Sequence, residues 1–326
     1  MILENAYEAI TDNVYLRLGD IIPESDVFLK LEGLNPGGSI KLKSAIGMVE
    51  DAERNGRLYS GASLIESSSG SLGVALALVA AGKGYSFTCV TDPNASTYSV
   101  SVMRALGADV VEVNGRDANG GFLGSRISYI HERIAADPGL VWLNQYANPA
   151  NLRAHARLTA TAILDEIASV DHLFVGVGTS GTLMGCLEHF RRHSPATRII
   201  AVDSEGSVTF GFPPGPRLVP GLGTSRKPEI CQVAAPDDIV IVSESDAIRA
   251  CRSFARKGIF LGGSSGAVLA AVSRMSGQIP PGSRVVAISP DLGDRYADTV
   301  YSDDWVVRHF GAGVLETPEL AHQTGG

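Results

Sequence analysis

A lysine at the start of a predicted helix is the first residue that could do chemistry. Lys41 follows "NPGGS" (35–39), where proline and glycine predict a turn and Ser39 is suited to cap a helix. The run "KLKSAIGMVEDAERNG" (41–56) has helical spacing. A positive charge in the first turn opposes the helix dipole, so Lys41 is poorly placed for stability alone. Two interpretations follow: a solvated lysine at a loop–helix junction, or a lysine bonded to another group.

Three loops rich in glycine and serine each lie between a predicted strand and a predicted helix. Hydroxyl and free backbone N–H groups at a helix start form an anion site, although N-capping by serine explains any one such loop equally well. Together with Lys41, the three loops meet the demands of pyridoxal phosphate, a phosphorylated cofactor bonded to a lysine. The loops are "ESSSGSLG" (66–73), "GVGTSGTLMG" (176–185) and "GGSSG" (262–266).

The second loop also permits a different cofactor. Gly176, Gly178 and Gly181 satisfy G-x-G-x-x-G, and Asp203 ends the next predicted strand at the spacing of a ribose-binding acid. The hydroxyl groups of "TSGT" (179–182) instead suit a single terminal phosphate. A dinucleotide-dependent oxidoreductase therefore stays open as an alternative.

The elements that must position these loops alternate along the chain. Short β-rich runs such as "SLIES" (63–67), "HLFVGVG" (172–178) and "RVVAIS" (284–289) are separated by longer alanine-rich helical stretches. This alternation predicts parallel sheets covered by helices on both faces, and 326 residues suffice for two domains. The Pro/Gly-dense segment 211–225 is too central to be a tail, and we expect an ordered loop that covers a site.

The composition argues against several partners. A chain with 44% hydrophobic and 19% charged residues is typical of a globular protein, and its net charge of −8 argues against nucleic acid and anionic membranes. Four cysteines without CxxC spacing predict reduced thiols in a cytoplasmic protein. Residues 1–13 show no signal-peptide pattern, and no apolar run reaches membrane-spanning length.

Four motifs carry a resemblance to a known family. In order, "NPGGSIK", "SSSGSLG", "GTSGTLMG" and "GGSSG" resemble the cysteine synthase / cystathionine β-synthase family, the fold-type II pyridoxal-phosphate enzymes, over roughly residues 10–310. Within it, "NGGFLGSRI", "NQYANPAN" and "GLGTSR" are most similar to the branch that joins O-phospho-L-serine to L-glutamate. The resemblance implies two parallel-sheet α/β domains of the tryptophan synthase β-like architecture, with the cofactor between them.

The resemblance also implies how the chain divides and assembles. We expect a larger cofactor-binding domain from residues 1–42 and 148–312, a smaller mobile substrate domain from residues 43–147, and a flexible tail at 313–326. It further implies a cytoplasmic homodimer that acts on small amino-acid substrates. No metal ion, nucleic acid or membrane partner is expected.

By the same resemblance, Lys41 carries the Schiff base to the cofactor and Ser264 faces its pyridine nitrogen. Leu42 and Lys43 depart from the family's Asp-Arg, and Ser71 stands where the family has an asparagine that contacts the cofactor's phenolic oxygen. Serine is shorter than asparagine, so a water molecule would be needed to complete that contact. The resemblance assigns the cofactor phosphate to Gly178, Thr179, Ser180, Gly181 and Thr182, and the substrate to Ser67, Ser68, Ser69, Gly70 and Gln145.

Acidic substrates require positive charge inside an acidic protein. Arg126 is the preferred candidate because a guanidinium binds an oxyanion through two hydrogen bonds, and its alternative is an exposed helix arginine. Tyr146 is either a donor to substrate or a core aromatic residue, and Arg226 is a weaker candidate. His155 is interpreted as structural.

The expected reaction is a pyridoxal-phosphate-dependent β-replacement by a transferase. By the resemblance, phosphate leaves O-phospho-L-serine and the α-amine of L-glutamate takes its place. The product, N-(2-amino-2-carboxyethyl)-L-glutamate, is oxidised onward to 2,3-diaminopropionate for siderophores or peptide antibiotics. The alternatives are a cysteine synthase that uses O-acetyl- or O-phosphoserine and sulfide, and a non-catalytic binding module descended from such an enzyme.

Overall fold

The computed structural model describes residues 2–19, 21–117, 120–232 and 235–316. Within these residues, ten strands alternate with ten α-helices. The strands are β1 (Tyr15–Leu18), β2 (Asp26–Leu31), β3 (Ser63–Ser67), β4 (Ser86–Thr91), β5 (Asp109–Glu112), β6 (Leu140–Trp142), β7 (His172–Gly176), β8 (Arg198–Ser204), β9 (Asp238–Val242) and β10 (Arg284–Ser289). The helices are α1 (Lys41–Arg54), α2 (Ser71–Lys83), α3 (Thr97–Ala105), α4 (Leu123–Ala136), α5 (Pro149–His155), α6 (Thr161–Glu166), α7 (Gly181–His193), α8 (Glu244–Ala255), α9 (Gly263–Met275) and α10 (Asp303–Phe310).

Six strands form the larger sheet, in the order β1-β2-β10-β7-β8-β9. Strand β1 pairs antiparallel to β2 at the edge, and every other pair is parallel. Consecutive residues of β7 pack on opposite faces, Leu173 in a cluster with Leu187 of α7 and Phe174 in a cluster with Val268 of α9. The sequence pattern missed β1, because a four-residue edge strand that is mostly half-buried has too short an alternation to detect.

Four parallel strands form the smaller sheet, in the order β5-β4-β3-β6. One face packs against α1 and α2 through a cluster that includes Leu64 and Leu76. The other face packs against α4 through Ile65, Val90 and Ile130. Successive β3 residues thus point to opposite buried faces, as expected for a parallel sheet covered on both sides. The predicted α/β class with two parallel sheets is confirmed.

The carboxyl ends of the strands support the loops singled out in the sequence. Strand β3 leads into the serine loop, β7 into the "GTSGT" loop, and β10 into Asp291, whose backbone bridges to Ser39 of the lysine turn. Ligands of open parallel sheets bind beyond these ends. The division into domains at 1–42 with 148–312 and at 43–147 stays a prediction, and residues 317–326 of the expected tail lie outside the described residues.

Candidate active site

Lys41 is the first residue of α1, and its amino group faces a cavity. Ser39 Oγ accepts a hydrogen bond from Lys41 N at 3.3 Å, whereas the N-cap residue of α1 is Ile40, which makes no side-chain capping bond. Lys41 Nζ lies 3.4 Å from Thr179 Oγ1, and both residues line the same cavity. Burial lowers the pKa of Lys41 to about 8. The geometry therefore favours a functional amine over a solvated junction lysine.

The loop between β7 and α7 forms a cradle for an anion. Ser180 has φ of 69°, a left-handed conformation that is uncommon for a residue with a side chain and that clusters at functional sites. Helix α7 then begins at Gly181, and the first N–H groups of a helix have no intrahelical partner. A Cβ on Gly178 would lie 3.0 Å from the carbonyl oxygen of Gly221, so the loop packs closely there. This arrangement aims free N–H groups and the helix dipole at one point.

Ser264 is held by a buried acid. It lies behind Gly221, which lines the same cavity as Lys41, since a Cβ on Gly221 would be 3.2 Å from Ser264 Oγ. Ser264 Oγ is 3.2 Å from Asp291 Oδ1, and the Tyr296 hydroxyl donates to Asp291 Oδ2 at 2.7 Å. Burial raises the pKa of Asp291, against the opposing effect of the bond from Tyr296. The orientation of the Ser264 hydroxyl therefore depends on a carboxyl group at the end of β10.

Ser71 is engaged by an arginine from the opposite side of the cleft. Arg295 Nη1 donates to Ser71 Oγ at 2.8 Å, and its Nη2 donates to the carbonyl oxygen of Gly37 at 2.6 Å. The guanidinium carbon also lies 5.9 Å from the ring centroid of Tyr98. Because Ser71 Oγ accepts from Arg295, its own hydroxyl proton is left to donate elsewhere. Arg295 thus ties the lysine turn to the start of α2.

The serine loop after β3 divides its hydroxyl groups between two tasks. Ser68 Oγ accepts from Gly73 N at 2.9 Å and from Gly70 N at 3.3 Å, so this side chain caps α2. Ser67 Oγ is buried and has no hydrogen-bond partner among the described residues, while Ser69 and Gly70 are partly exposed. The Ser67 hydroxyl and the 69–70 backbone are therefore the parts of the loop left for a ligand.

Glu66 fixes this loop to the strand beside it. Its Oε1 accepts from Ser67 N at 2.7 Å and from Trp142 Nε1 at 3.0 Å, and its Oε2 accepts from Gln145 N at 3.3 Å. Gln145 Nε2 in turn donates to the carbonyl oxygen of Ser67 at 3.0 Å. Burial raises the pKa of Glu66 to about 7. The predicted glutamine thus lies against the serine loop.

Arg126 is buried rather than solvated. Only 7% of its surface is exposed, and its Nε lies 3.3 Å from Oδ2 of the equally buried Asp92. Burial raises the pKa of the Tyr146 hydroxyl, and the nearby charge of Arg126 opposes that rise. The interpretation of Arg126 as an exposed helix residue is wrong, because α4 turns it inward against the end of β4. Arg126 of α4 therefore lies near Tyr146, the residue that follows Gln145 in the chain.

Asn151 connects the two parts of the site. Its Nδ2 donates to the carbonyl oxygen of Gln145 at 2.9 Å and to Thr179 Oγ1 at 3.4 Å, the same oxygen that Lys41 approaches. Asn151 is buried in α5 and was not singled out in the sequence. An asparagine inside a helix gives no signal of its own, since only the fold places it between the cradle and the serine loop.

His155 orders the cradle from behind. Its Nε2 lies 2.9 Å from Ser44 Oγ and 3.4 Å from Thr182 Oγ1, and its Nδ1 lies 3.1 Å from Thr159 Oγ1. Burial lowers its pKa well below the usual range, so the imidazole is neutral, with one donor and one acceptor nitrogen. A π-helical turn at Ala156–Ala160 follows directly. The structural interpretation of His155 is compatible with these contacts, which also hold Thr182 of the cradle.

The two residues after Lys41 are turned away from the cavity. Leu42 is fully buried in the core beneath the smaller sheet. Lys43 is buried, with Nζ 2.7 Å from Glu32 Oε2, and it also pairs with Asp12. Lys43 therefore serves as a buried ion-pair partner where the resembling family has arginine.

Asp291 and Arg295 were assigned no role in the sequence, although a signal was available. Both lie in "DLGDRY", directly after the buried strand β10. In a parallel sheet the residues beyond a strand's carboxyl end face the ligand site, and this rule would have singled out both.

Comparison with protein-family models gives a match over residues 9–291 to the family described as "Pyridoxal-phosphate dependent enzyme". This chain belongs to that family. The matched range contains the lysine turn, the serine loop, the cradle and Asp291, so the dinucleotide alternative is wrong. Asp203, on which that alternative depended, is buried and accepts a hydrogen bond from Ser204 N at 2.8 Å.

The relatives of this chain within the family are named as synthases. N-(2-amino-2-carboxyethyl)-L-glutamate synthase of Ralstonia nicotianae is 43% identical over 291 residues, which cover 87% of this chain and 85% of that protein. The solved O-acetylserine dependent cystathionine beta-synthase from Helicobacter pylori matches with a TM-score of 0.87 and 30% identity, over 93% of this chain and 100% of that one. A solved O-ureido-L-serine synthase matches with a TM-score of 0.85 and 31% identity, over 94% of this chain and 100% of that one. The resemblance to the cysteine synthase / cystathionine β-synthase family is confirmed.

The cradle fits the family's cofactor. Ser180 Oγ and Asn151 Oδ1 are buried without a hydrogen-bond partner among the described residues, and both adjoin the start of α7. A buried polar atom left unpaired is costly, and a phosphorylated ligand offers partners for such atoms.

In the described part of the chain, no helix combines the length and apolar character needed to cross a bilayer, and no three His, Cys, Asp or Glu residues cluster as metal ligands.

Proposed function

We propose that this protein joins O-phospho-L-serine to L-glutamate, releasing phosphate and forming N-(2-amino-2-carboxyethyl)-L-glutamate. The 43% identity to the synthase named for that product, over 87% of this chain, carries the proposal. Arg126, buried beside Tyr146 and paired with Asp92, is the cation that we assign to the anionic substrates.

Pyridoxal phosphate, when bound, supplies a conjugated electron-withdrawing ring that stabilises negative charge at the Cα of an amino acid attached to it. In our proposal the Ser264 hydroxyl turns from Asp291 to hold the pyridine nitrogen, and Ser71, supported by Arg295, donates toward the phenolic oxygen through a water molecule. The residues that hold the phosphate are Gly178, Thr179, Ser180, Gly181 and Thr182. Those that hold the substrate carboxylate are Ser67, Ser69, Gly70 and Gln145; Ser68 is left out because its Oγ caps α2 and its backbone N donates to the carbonyl oxygen of Val90 at 3.0 Å.

Lys41 Nζ is the proposed base. Once the amine of the substrate has displaced it from the cofactor, the freed Lys41 amine takes the Cα proton of phosphoserine, and burial, which lowers its pKa to about 8, favours the neutral form that can do so. The Cβ–O bond breaks with its electron pair on phosphate, and the α-amine of glutamate then forms the Cβ–N bond and loses one proton. Lys41 returns a proton to Cα. Arg126 and Tyr146 stabilise the charge on the departing phosphate.

The decisive experiment is product analysis by mass spectrometry. O-phospho-L-serine with L-glutamate should give one phosphate per molecule of N-(2-amino-2-carboxyethyl)-L-glutamate. O-acetyl-L-serine and O-phospho-L-serine with sulfide run in parallel, and Lys41→Ala serves as the inactive control. Cysteine formed from sulfide, with no adduct from glutamate, would replace this proposal with the cysteine synthase alternative.

We further propose a cytoplasmic homodimer whose product is oxidised onward to 2,3-diaminopropionate. The four cysteines are all buried and free, which fits a reducing compartment. Light scattering coupled to size-exclusion chromatography measures the oligomeric state directly.

A further inference from the structure

A second cavity lies between α4 and the segment 226–229. This outer cavity is lined on one side by Trp142 and Tyr146 and on the other by Arg226 and Lys227. The backbone N of Ile230 donates to the carbonyl oxygen of Tyr146 at 3.1 Å, which joins the two sides. Clefts between separately packed parts of a chain are common sites for small ligands.

The outer cavity shares side chains with the active site. Tyr146 lines it, and its hydroxyl group lies close enough to Arg126 to be affected by that charge. Trp142 also lines it and donates at 3.0 Å to Glu66, the same carboxyl group that holds the backbone N of Ser67 at 2.7 Å. Side chains that line the outer cavity therefore also belong to the hydrogen-bond network that holds the serine loop.

The charges around the outer cavity favour an anion. Arg226 is exposed and its nearest carboxylate is Glu229, at 3.4 Å. Lys227 is exposed, and no carboxylate of the described residues lies within 4.0 Å of it. Two adjacent cations with one acidic neighbour are a local excess of positive charge on a chain of net charge −8. An entering carboxylate would replace Glu229 as the ion-pair partner of Arg226 and would also be a partner for Lys227.

We propose that the outer cavity binds the side-chain carboxylate of a dicarboxylic amino acid that acts as the nucleophile, with Arg226 and Lys227 as its partners. This inference rests on the proposed function and specifies how that function selects its second substrate. A nucleophilic amino acid that holds its amine at the reaction centre has to extend its side chain away from it. Leu123 and Ile127 on the α4 side offer apolar contacts for methylene groups. Sulfide has no group to occupy this cavity.

Trp142 reports binding without turnover. The chain has two tryptophans, so the Trp305→Phe variant keeps Trp142 as its single tryptophan. This variant is the parent protein for the test. Titration of the holoenzyme with glutarate, which has no amine to react with the cofactor, should change Trp142 fluorescence saturably, and butyrate, which lacks the second carboxylate, should not. Adding Arg226→Ala and Lys227→Ala should weaken the glutarate titration by at least tenfold.

Kinetics separate this site from the reaction itself. The Arg226→Ala, Lys227→Ala variant should raise the KM for L-glutamate at least tenfold and change the KM for O-phospho-L-serine less than twofold. The matched control, Arg249→Ala with Lys257→Ala, removes another arginine–acid pair, at 3.2 Å from Asp246, and another exposed lysine. Equal glutarate titrations in the parent and in the Arg226, Lys227 variant overturn the inference even if product forms. Absence of product from the parent overturns the proposed function, whatever glutarate does.

Discussion

Replacing Arg126 with alanine should affect both substrate binding and stability. The side chains of Arg126 and Asp92 are only 8% and 5% exposed, and Nε lies 3.3 Å from Oδ2. Removing one partner of a buried pair leaves the other charge uncompensated, which costs about 3–5 kcal/mol of stability. Loss of a desolvated contact to substrate costs a further ~2–5 kcal/mol of binding, and each ~1.4 kcal/mol is a factor of ten in affinity.

We therefore expect Arg126→Ala to raise the KM for O-phospho-L-serine or L-glutamate by well over tenfold and also to lower the urea midpoint. Asp92→Asn in the same chain removes the stranded carboxylate, so the double variant should recover much of the stability while the KM stays high. Arg126→Lys should rescue only in part, because an ammonium cannot make the two-pronged contact.

The assay combines urea unfolding with steady-state kinetics on each substrate in turn. Cofactor absorbance confirms that the cradle is intact, and Arg133→Ala, on the exposed face of the same helix, is the matched control. A folded Arg126→Ala protein with full absorbance and unchanged KM for both substrates would refute the reasoning. Arg226, which we already propose as a partner of the nucleophile's carboxylate, would then become the candidate cation for phosphoserine too, with Tyr146 as a neutral donor.

Two further predictions follow from buried titratable groups. Borohydride reduction of the holoenzyme should leave the cofactor mass on the peptide with Lys41, and attachment of pyridoxal phosphate to the cofactor-free protein should accelerate as the pH rises through about 8, because only the neutral amine reacts. Label on another lysine, or acceleration only near pH 10.5, the ordinary value, would contradict this. For Glu66, burial raises the pKa from 4.5 to about 7. The contribution of Glu66 to the free energy of unfolding is therefore complete below pH 4.5 and is lost as the pH rises through 7. Melting curves of Glu66→Gln should lack this decline, worth up to about 3 kcal/mol, and parallel curves for both proteins would show that Glu66 does not titrate there.

The fold and the cofactor were predictable because their signals are local. Alternating β-rich and alanine-rich runs determine the α/β class, and turn residues around Lys41 and within 176–182 mark loops at strand ends. The antiparallel β1 was missed because four residues at a sheet edge show little periodicity. The inward direction of Arg126 was also beyond the sequence, since which face of α4 is buried depends on packing against β3 and β4.

The residues that order the site were harder to predict because their contacts are long-range. Asn151 reaches Thr179, and Arg295 reaches Ser71, across separations that no local pattern records. Ser68 shows the converse. Its type and position suggested a substrate ligand, but its hydroxyl group is used to cap α2.

The pairing of β2 has a consequence for how the protein is made. Asp26 of β2 lies opposite Arg284 of β10, so this contact closes a loop over most of the chain, whereas the smaller sheet is built entirely between Ser63 and Trp142. A chain emerging from the ribosome can complete the smaller sheet long before β10 exists. The lysine turn, bridged to Asp291, obtains its support only after that late strand has docked. We therefore expect Lys41 to be synthesised early, whereas the site that lets it react is completed only at the end of synthesis.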